Sequence, residues 1–420
     1  MSLLLFGTFA LCLVLGVPIA FAIALAAVVV LLKGDLQMLI VVQRMFAATD
    51  SFPLIAVPFF ILAGDLLARG AISKRLVAFS ESILGSIKGG LSIVSVIAGM
   101  FFAAISGSGA ATTAAVGATL IPELKQRGYN AASSAALIAA AGTIGVVIPP
   151  SVPMVLYAVI ADQSVTQLFR NGFIPGILMG GMLISIAITQ AYKNNYPKGM
   201  EFSFKNVWAT FSRSIWGLLM PLIILGGIFS GYFTPSEAAV VAVVYALLVS
   251  FFIYKDLTLK DLYNIMVGSA KTSAIIMIII ACSGAFGWVL ANWKIPEQIA
   301  NGVLAISSNK FVIMFLISVI VLIAGVFMET SSAVIILTPV FLPLVRALNI
   351  NLVHFGILFT VGIAIGMITP PVAINLFVAS SITGMPIEKI SRAVIPFLVG
   401  LIIVFFVIVY APIFLPGLIL

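Results

Sequence analysis

Residues 3–32 carry no charge, a stretch longer than the roughly 20 apolar residues that cross a ~30 Å hydrocarbon core. Comparable apolar runs recur at 53–67, 91–105, 131–148, 173–191, 215–229, 238–253, 274–290, 311–327, 352–368 and 393–414, with shorter ones at 111–121, 152–160, 333–344 and 372–382. The pattern predicts ten to fourteen hydrophobic elements, some too short to span. Only 8% of the residues are charged and 62% are hydrophobic. A soluble domain has roughly a quarter of its residues charged, so the outer surface of this chain faces lipid. Inside lipid every backbone polar group needs an internal partner, which leaves helices or closed barrels. Barrel strands alternate apolar and polar, whereas these runs are continuous, so the expectation is an all-α polytopic membrane protein. The opening run is too long for a signal-peptide core and has no basic flank before it. It is expected to stay as a helix.

The chain is written twice. Gly145-Val-Val-Ile-Pro149-Pro150 matches Gly366-Met-Ile-Thr-Pro370-Pro371 at an offset of 221 residues, and the same offset carries Pro122 onto Pro343 and Pro175 onto Pro396. Four prolines and a glycine in one ungapped frame are hard to obtain by chance. The expected organisation is a first repeat over 1–192, a polar linker over 193–214 holding Lys193, Lys198, Glu201, Lys205 and Arg213, and a second repeat over 215–420. The linker reads as a connection or an amphipathic surface helix, with Trp208 and Trp216 as interfacial aromatics. Duplicated membrane halves with Gly/Pro-interrupted segments at equivalent places, commonly in inverted topology, point to a secondary transporter with its sites at the broken helices.

Each half breaks the helical pattern twice. Ser106-Gly107-Ser108-Gly109 lies between apolar stretches. Glycine costs a helix about 1 kcal/mol relative to alanine, and serine competes for local backbone bonds. A turn is expected there, with a short segment ending at Pro122: a re-entrant hairpin near 106–122. Its counterpart lies near 327–343, where Glu329 stands in the frame of Ser108. A carboxylate in so apolar a neighbourhood is by default a functional-site hypothesis. The second break, near 142–153 and 362–374, is the Pro-Pro pair, which removes two backbone donors and frees carbonyls for other partners. Taken singly, a small-residue run also serves close helix packing, a Pro-Pro pair can be a kink, and Glu329 can be a hydrogen-bonded structural carboxylate. Recurrence of both breaks in register favours a cation or substrate site.

Other chemistries find little support. No phosphate-binding GxxxxGK[ST] loop occurs. Cys12 and Cys282 are far apart in apolar runs, and His354 is the single histidine, which excludes CxxC and multi-histidine metal sites. A Ser108–His354 hydrolase lacks a third orienting group. A pore needs rings of like residues, and none is evident. The net charge of +8 is scattered singly along loops, which reads as topology and lipid headgroup contact and not nucleic acid. Lys88, Lys125 and Arg127 flank the first hairpin against Lys310 and Arg346 at the second, which places the first hairpin's opening in the cytoplasm. Glu237 in Thr234-Pro-Ser-Glu237 has the pattern of a structural capping box.

The segments SGSGAATTAAVG, GTIGVVIPPSVP, METSSAVIILTPVFLP and GMITPPVAINLF, with SFPLIAVPFFILAG over 51–64, resemble the large membrane subunit of TRAP (tripartite ATP-independent periplasmic) transporters, over essentially the whole chain. The resemblance implies an elevator fold with a scaffold and a mobile transport domain, in the bacterial inner membrane. It implies a periplasmic substrate-binding protein and a small four-helix membrane subunit, which is expected as a separate chain. It implies Na⁺-driven uptake of carboxylated solutes such as C4-dicarboxylates or sialic acids. Carried onto this sequence, one of two Na⁺ sites uses Ser106, Ser108, Gly145, Ile148 and Pro150, and the other Glu329, Gly366, Thr369 and Pro371. Substrate is expected against Thr112, Thr113, Ser331 or Ser332. Many members carry Asp at the Glu329 position. The alternatives are a stand-alone Na⁺/dicarboxylate symporter and a channel or scaffold without coupled transport.

Overall fold

The computed structural model describes residues 1–69, 72–199, 201–306 and 309–414; residue 200 of the expected linker and residues 307, 308 and 415–420 of the expected second repeat lie outside the described residues. The described chain is helical, with one isolated β-bridge between Lys88 and Lys198. Its α-helices are α1 (Ser2–Val14), α2 (Ile19–Lys33), α3 (Leu39–Thr49), α4 (Ala56–Arg69), α5 (Ile72–Leu84), α6 (Gly90–Ser106), α7 (Gly109–Gln126), α8 (Ala131–Thr143), α9 (Val152–Ala161), α10 (Val165–Lys193), α11 (Phe204–Phe229), α12 (Pro235–Leu248), α13 (Leu259–Asn292), α14 (Ile295–Ile306), α15 (Lys310–Phe327), α16 (Thr330–Ala347), α17 (Leu352–Gly366), α18 (Ile374–Thr383) and α19 (Ile387–Phe414). Seven helices among the described residues are long and apolar enough to cross a membrane, and seven shorter apolar helices accompany them.

Helix boundaries follow the 221-residue frame closely. α7 and α16 begin at Gly109 and Thr330 and end at Gln126 and Ala347, 221 residues apart at both ends. Asn130 and Asn351, at the same spacing, cap α8 and α17, and just before them Gly128 and Asn349 both take the left-handed conformation (φ 81° and 50°). The frame slips at the start of each half, where α2 would map onto 240–254 but α12 is Pro235–Leu248, and it is broken further on. α13 is a single long helix, whereas the corresponding stretch of the first half is split into α3 and α4, bent by 68°. Pro53 supplies no backbone donor there, and Ser51 is extended (φ −137°).

Three expectations change in detail. The opening apolar run is two helices, because Gly16 turns the chain at φ 78° and Pro18 starts α2. The second helix of each hairpin does not stop at its proline: α7 continues through Pro122 and α16 through Pro339 and Pro343. A proline in a helix removes one hydrogen bond and bends it, and tight packing on neighbours tolerates this. Finally, only 194–203 connects α10 to α11; the rest of the polar stretch, including Trp208, is helix.

The helices pack as two groups. α1–α4 pack with α11–α13, and α6–α10 pack with α15–α19, while α5 and α14 lie between the groups. Within the second group the halves interlock. The hairpin α6–α7 lies against α8 of its own half and α18 of the other, and α15–α16 lies against α17 of its own half and α9 of the other. Small residues permit the crossing: α8 is Ala131-Ala-Ser-Ser-Ala-Ala-Leu-Ile-Ala-Ala-Ala-Gly142-Thr143, buried from Ser134 onward.

Candidate functional site

The first hairpin tip is built by one glycine and three hydroxyls. Gly107 ends α6 in the left-handed region (φ 61°), so the chain reverses and Ser108 enters α7 with extended backbone. The Ser108 carbonyl accepts from Thr112 N (3.0 Å), Thr112 Oγ1 (2.8 Å) and Ser106 Oγ (3.2 Å). Ser106 Oγ and Thr112 Oγ1 are 2.9 Å apart. The tip sits on the unwound part of the first broken helix. A Cβ on Gly145 would lie 2.6 Å from both the Ser108 carbonyl oxygen and Thr112 Oγ1, and one on Gly107 would lie 2.7 Å from the Pro150 carbonyl oxygen. Ser106, Ser108, Thr112 and Pro150 thus bring oxygen atoms together in a cradle whose close approach the glycines permit. A set of neutral oxygens suits a hard monovalent cation, and backbone carbonyls belong to such sites.

The second tip is charged and closes on itself. Glu329 caps α16, its Oε2 accepting from Ser331 N (2.9 Å) and Ser332 N (3.1 Å) and its Oε1 from Ser331 Oγ (3.1 Å). Its carboxylate also answers the positive end of that helix. Gly366 packs on the helix that leads into this tip. The atoms nearest a Cβ there would be those of Gly325, four residues before Glu329, at 2.1–2.5 Å. Gly325 is one helical turn back from the tip, about 6 Å along the axis. Thr369 donates its N–H to Gly366 O (2.9 Å) and its hydroxyl to Ile365 O (2.9 Å). Pro149 and Pro150 are buried, while Pro370 and Pro371 are exposed; both Pro-Pro bonds are cis. The first tip packs on its broken helix through Gly145 and Gly107, and the second meets its own through Thr330 Oγ1, which donates to Met367 Sδ at 3.3 Å.

Both tips face one pocket of about 330 Å³, walled by Ser106–Ala111 on one side and by Glu329, Ser331 and Met367 on the other. The first group of helices closes it with Gly64 and Asp65 of α4 and Thr272 and Ile276 of α13. Gly64 allows the contact, since a Cβ there would lie 2.9 Å from the Ser106 carbonyl oxygen. Asp65 Oδ2 accepts from Ser269 Oγ at 2.6 Å. A second cavity of about 510 Å³ shares Asp65, Ala111 and Thr272 with the first and extends along α7 to Thr119 and Lys74.

The structure therefore gathers Ser106, Ser108, Gly145 and Pro150 at one tip, and Glu329, Ser331 and Ser332 at the other. Ile148 turns its side chain onto α10, where it would collide with a Cβ on Gly176. At the second break the atoms nearest a Cβ on Gly366 are those of Gly325, and Pro371 is exposed. Thr112 and Thr113 are fully buried: Thr112 braces the tip, and Thr113 bonds Gly109 O (2.9 Å) against Gly142, so neither stands on the pocket wall.

Sequence reasoning missed Asp65 and Asn375. Asp65 stood inside the apolar run at 53–67, and an ionisable residue there was the available signal. Asn375, fully buried, follows the second Pro-Pro pair; its N–H donates to Met367 O (3.0 Å) and its Nδ2 to Ala139 O (3.1 Å), tying one broken helix to the other. His354 lies buried in the first turns of α17, about 18 Å along the helix from Gly366 at 1.5 Å per residue. Both cysteines are free and buried.

Hairpin tips and broken helices crossing around a pocket define a multi-pass membrane transport protein. In overall fold the chain is similar to the YdaH transporter of Alcanivorax borkumensis, with a TM-score of 0.64 at 14% identity over 90% of this chain and 88% of that one. A second similar structure is MtrF of Neisseria gonorrhoeae, with a TM-score of 0.62 at 12% identity over 90% and 85%. The family model for the DctM component of tripartite ATP-independent periplasmic transporters matches residues 6–414, and the chain belongs to that family. Among relatives, the C4-dicarboxylate large permease protein DctM of Pseudomonas aeruginosa is 40% identical over 88% of this chain and 86% of its own. The 2,3-diketo-L-gulonate large permease protein of Escherichia coli is 35% identical over 95% and 94%. The isethionate permease protein DctMQ of Oleidesulfovibrio alaskensis is 41% identical over 97% of this chain, which spans 65% of that protein's length.

Proposed function

We propose that this permease carries out Na⁺-coupled uptake of a carboxylated organic solute of the C4-dicarboxylate or sialic acid type across the bacterial inner membrane. The solute is delivered by a periplasmic binding protein, and a small four-helix subunit completes the membrane part. The observation that carries the reading is the pocket walled by both hairpin tips. Na⁺ enters the cradle of Ser106, Ser108, Thr112, Gly145 and Pro150. The solute's carboxylate then lies against the first turn of α7, Gly109–Ala111, where the helix end and the bound cation both attract it. The equivalent position on α16 is less suited, because Glu329 already takes the N–H groups of Ser331 and Ser332. A second Na⁺ recruits Glu329 and draws that tip toward Gly366 and Thr369. The group α6–α10 with α15–α19 then moves as one body past α1–α4 and α11–α13, an elevator with inverted-topology halves. Two relatives support the class of cargo, since their names specify a C4-dicarboxylate and a keto sugar acid; the isethionate relative, named for a sulfonate, supports only an organic anion.

The test needs no knowledge of the solute. The thermal unfolding midpoint of the purified protein is measured in NaCl and in KCl at equal ionic strength. A ligand bound only by the folded state adds about 2.7 kcal/mol at a hundredfold excess over its Kd. A Na⁺-specific rise, diminished in Ser108→Ala and Glu329→Gln, is expected. Equal midpoints in the two salts, with wild type demonstrably folded, would overturn Na⁺ coupling.

A further inference from the structure

Among the described residues, the pocket between the hairpin tips is walled by two carboxylates, Asp65 and Glu329, and by no basic side chain. The pocket does not end there. Asp65, Ala111 and Thr272 also line the cavity of about 510 Å³ that continues along α7. From Ala111 the α7 wall passes through Ala114 and Ala118 to Thr119, about 12 Å at 1.5 Å per residue. Gly268 and Thr272 of α13 form another wall. Lys74 of α5 is the single basic side chain that lines either cavity among the described residues.

The position of Lys74 is fixed by its neighbour. Ser73 Oγ donates to Ala115 O (2.9 Å), a buried bond that holds the start of α5 against α7 beside the cavity. Lys74, Ala114 and Ala118 are exposed. α7 belongs to the helix group that carries the tips, whereas α4 and α13 belong to the other, so the cavity lies in the seam between the two. It leads from the tip toward the C-terminal end of α7, where Lys125 and Arg127 stand, and basic residues favour the cytoplasmic side. At about 330 and 510 Å³, both spaces fall in the range of roughly 300–1,000 Å³ that holds small organic ligands. An anion leaving an acid-walled pocket is drawn by a fixed cation ahead of it, and the low-dielectric walls of a cleft focus that charge.

We infer that the cavity along α7 is the passage of an anionic solute between the tip pocket and the cytoplasm, and that Lys74 meets the solute's carboxylate there. The order of charges, negative at the junction with Asp65 and positive beyond it at Lys74, favours release of an anion over its return. The inference rests on the reading of the cargo as an organic anion, and it adds a charge-selecting residue that lies outside both tips.

The test uses charged thiol reagents and needs neither the solute nor Na⁺. Ala114→Cys places a thiol on the exposed wall of the passage. Glu201→Cys, exposed on the connection between α10 and α11, is the control outside it. Wild type, whose two cysteines are buried, gives the blank. With the full-length chain in lipid nanodiscs, the rate of modification by anionic sulfonatoethyl methanethiosulfonate is divided by the rate for its cationic trimethylammonium counterpart. The ratio at one thiol cancels differences in thiol reactivity. Lys74→Gln should lower the ratio at Ala114→Cys on the order of tenfold, Lys74→Arg should preserve it, and neither should move it at Glu201→Cys. A ratio at Ala114→Cys that Lys74→Gln leaves unchanged, or an equal change at both positions, would overturn the role of Lys74. If neither reagent modifies Ala114→Cys while Glu201→Cys reacts, lipid or protein closes the cavity and the passage is refuted. Charge selectivity that persists in a protein with equal midpoints in NaCl and KCl would support the passage and remove Na⁺ coupling alone.

Discussion

Gly366 lies directly against Gly325, so close that a Cβ on it would fall 2.1 Å from the Gly325 carbonyl carbon. Its counterpart in the first half, Gly145, meets the Ser108 carbonyl oxygen instead. The same glycine in the same frame thus touches the tip in one half and a point one turn behind the tip in the other. Two consequences follow, one for packing and one for the order of binding.

Gly366→Ala has no room, because the obstructing atoms are backbone on both sides. Overpacking of this kind costs about 1–3 kcal/mol, and the separation of α15 from α17 should grow. The thermal midpoint should drop clearly, and Gly325→Ala should reproduce the drop. An unchanged midpoint would mean that this contact is not made in the folded protein.

Gly145→Ala should act more selectively. The Cβ would enter the cradle beside Ser108 O and Thr112 Oγ1, so helix content by circular dichroism should persist while the Na⁺-specific rise in midpoint disappears. Retention of the full Na⁺ effect would remove the first tip from the cation site.

Glu329→Gln keeps one oxygen that can take the place of Oε2, which accepts both capped N–H groups, and loses the acceptor of Ser331 Oγ, so the folded state should lose only about 1 kcal/mol. Na⁺-dependent uptake in proteoliposomes should nevertheless be lost, because the second tip then has no charge to answer a cation. Uptake at the wild-type rate would assign Glu329 a capping role alone.

Asn375→Leu removes the hydrogen bond to Ala139 O, a second bond to a carbonyl already inside α8, in a buried place. The net loss of one such bond costs about 0.5–1.5 kcal/mol. The midpoint should fall with or without Na⁺ by the same amount, a pattern unlike that of Gly145→Ala. A selective loss of the Na⁺ response would instead make Asn375 part of the cation site.

Asp65→Asn keeps an acceptor for Ser269 and removes a negative charge from the pocket wall. Stability should change little, while the Na⁺ concentration for half-maximal uptake should rise. A half-saturation identical to wild type would separate Asp65 from the cation path.

The sequence by itself determined the solvent and the helical class. The charge-poor runs admit only lipid as surroundings, and lipid admits only backbone that satisfies itself. The frame that aligns Pro149-Pro150 with Pro370-Pro371 also placed the two hairpins, because glycine, serine and proline act through the local backbone and need no distant partner. Tertiary structure alone decided what faces what. Pro122 and Pro343 lie inside helices because neighbours pack tightly enough to tolerate a lost bond. Thr112 and Thr113 turn inward because the tip reverses at Gly107 and α7 lies on α8. Asp65 and Thr272 reach the pocket only because α4 and α13 close its side, hundreds of residues from part of what they meet. That Gly145 meets Ser108 whereas Gly366 meets Gly325 has no trace in the frame, since the register of one helix against another is set by contacts between sequence-distant segments.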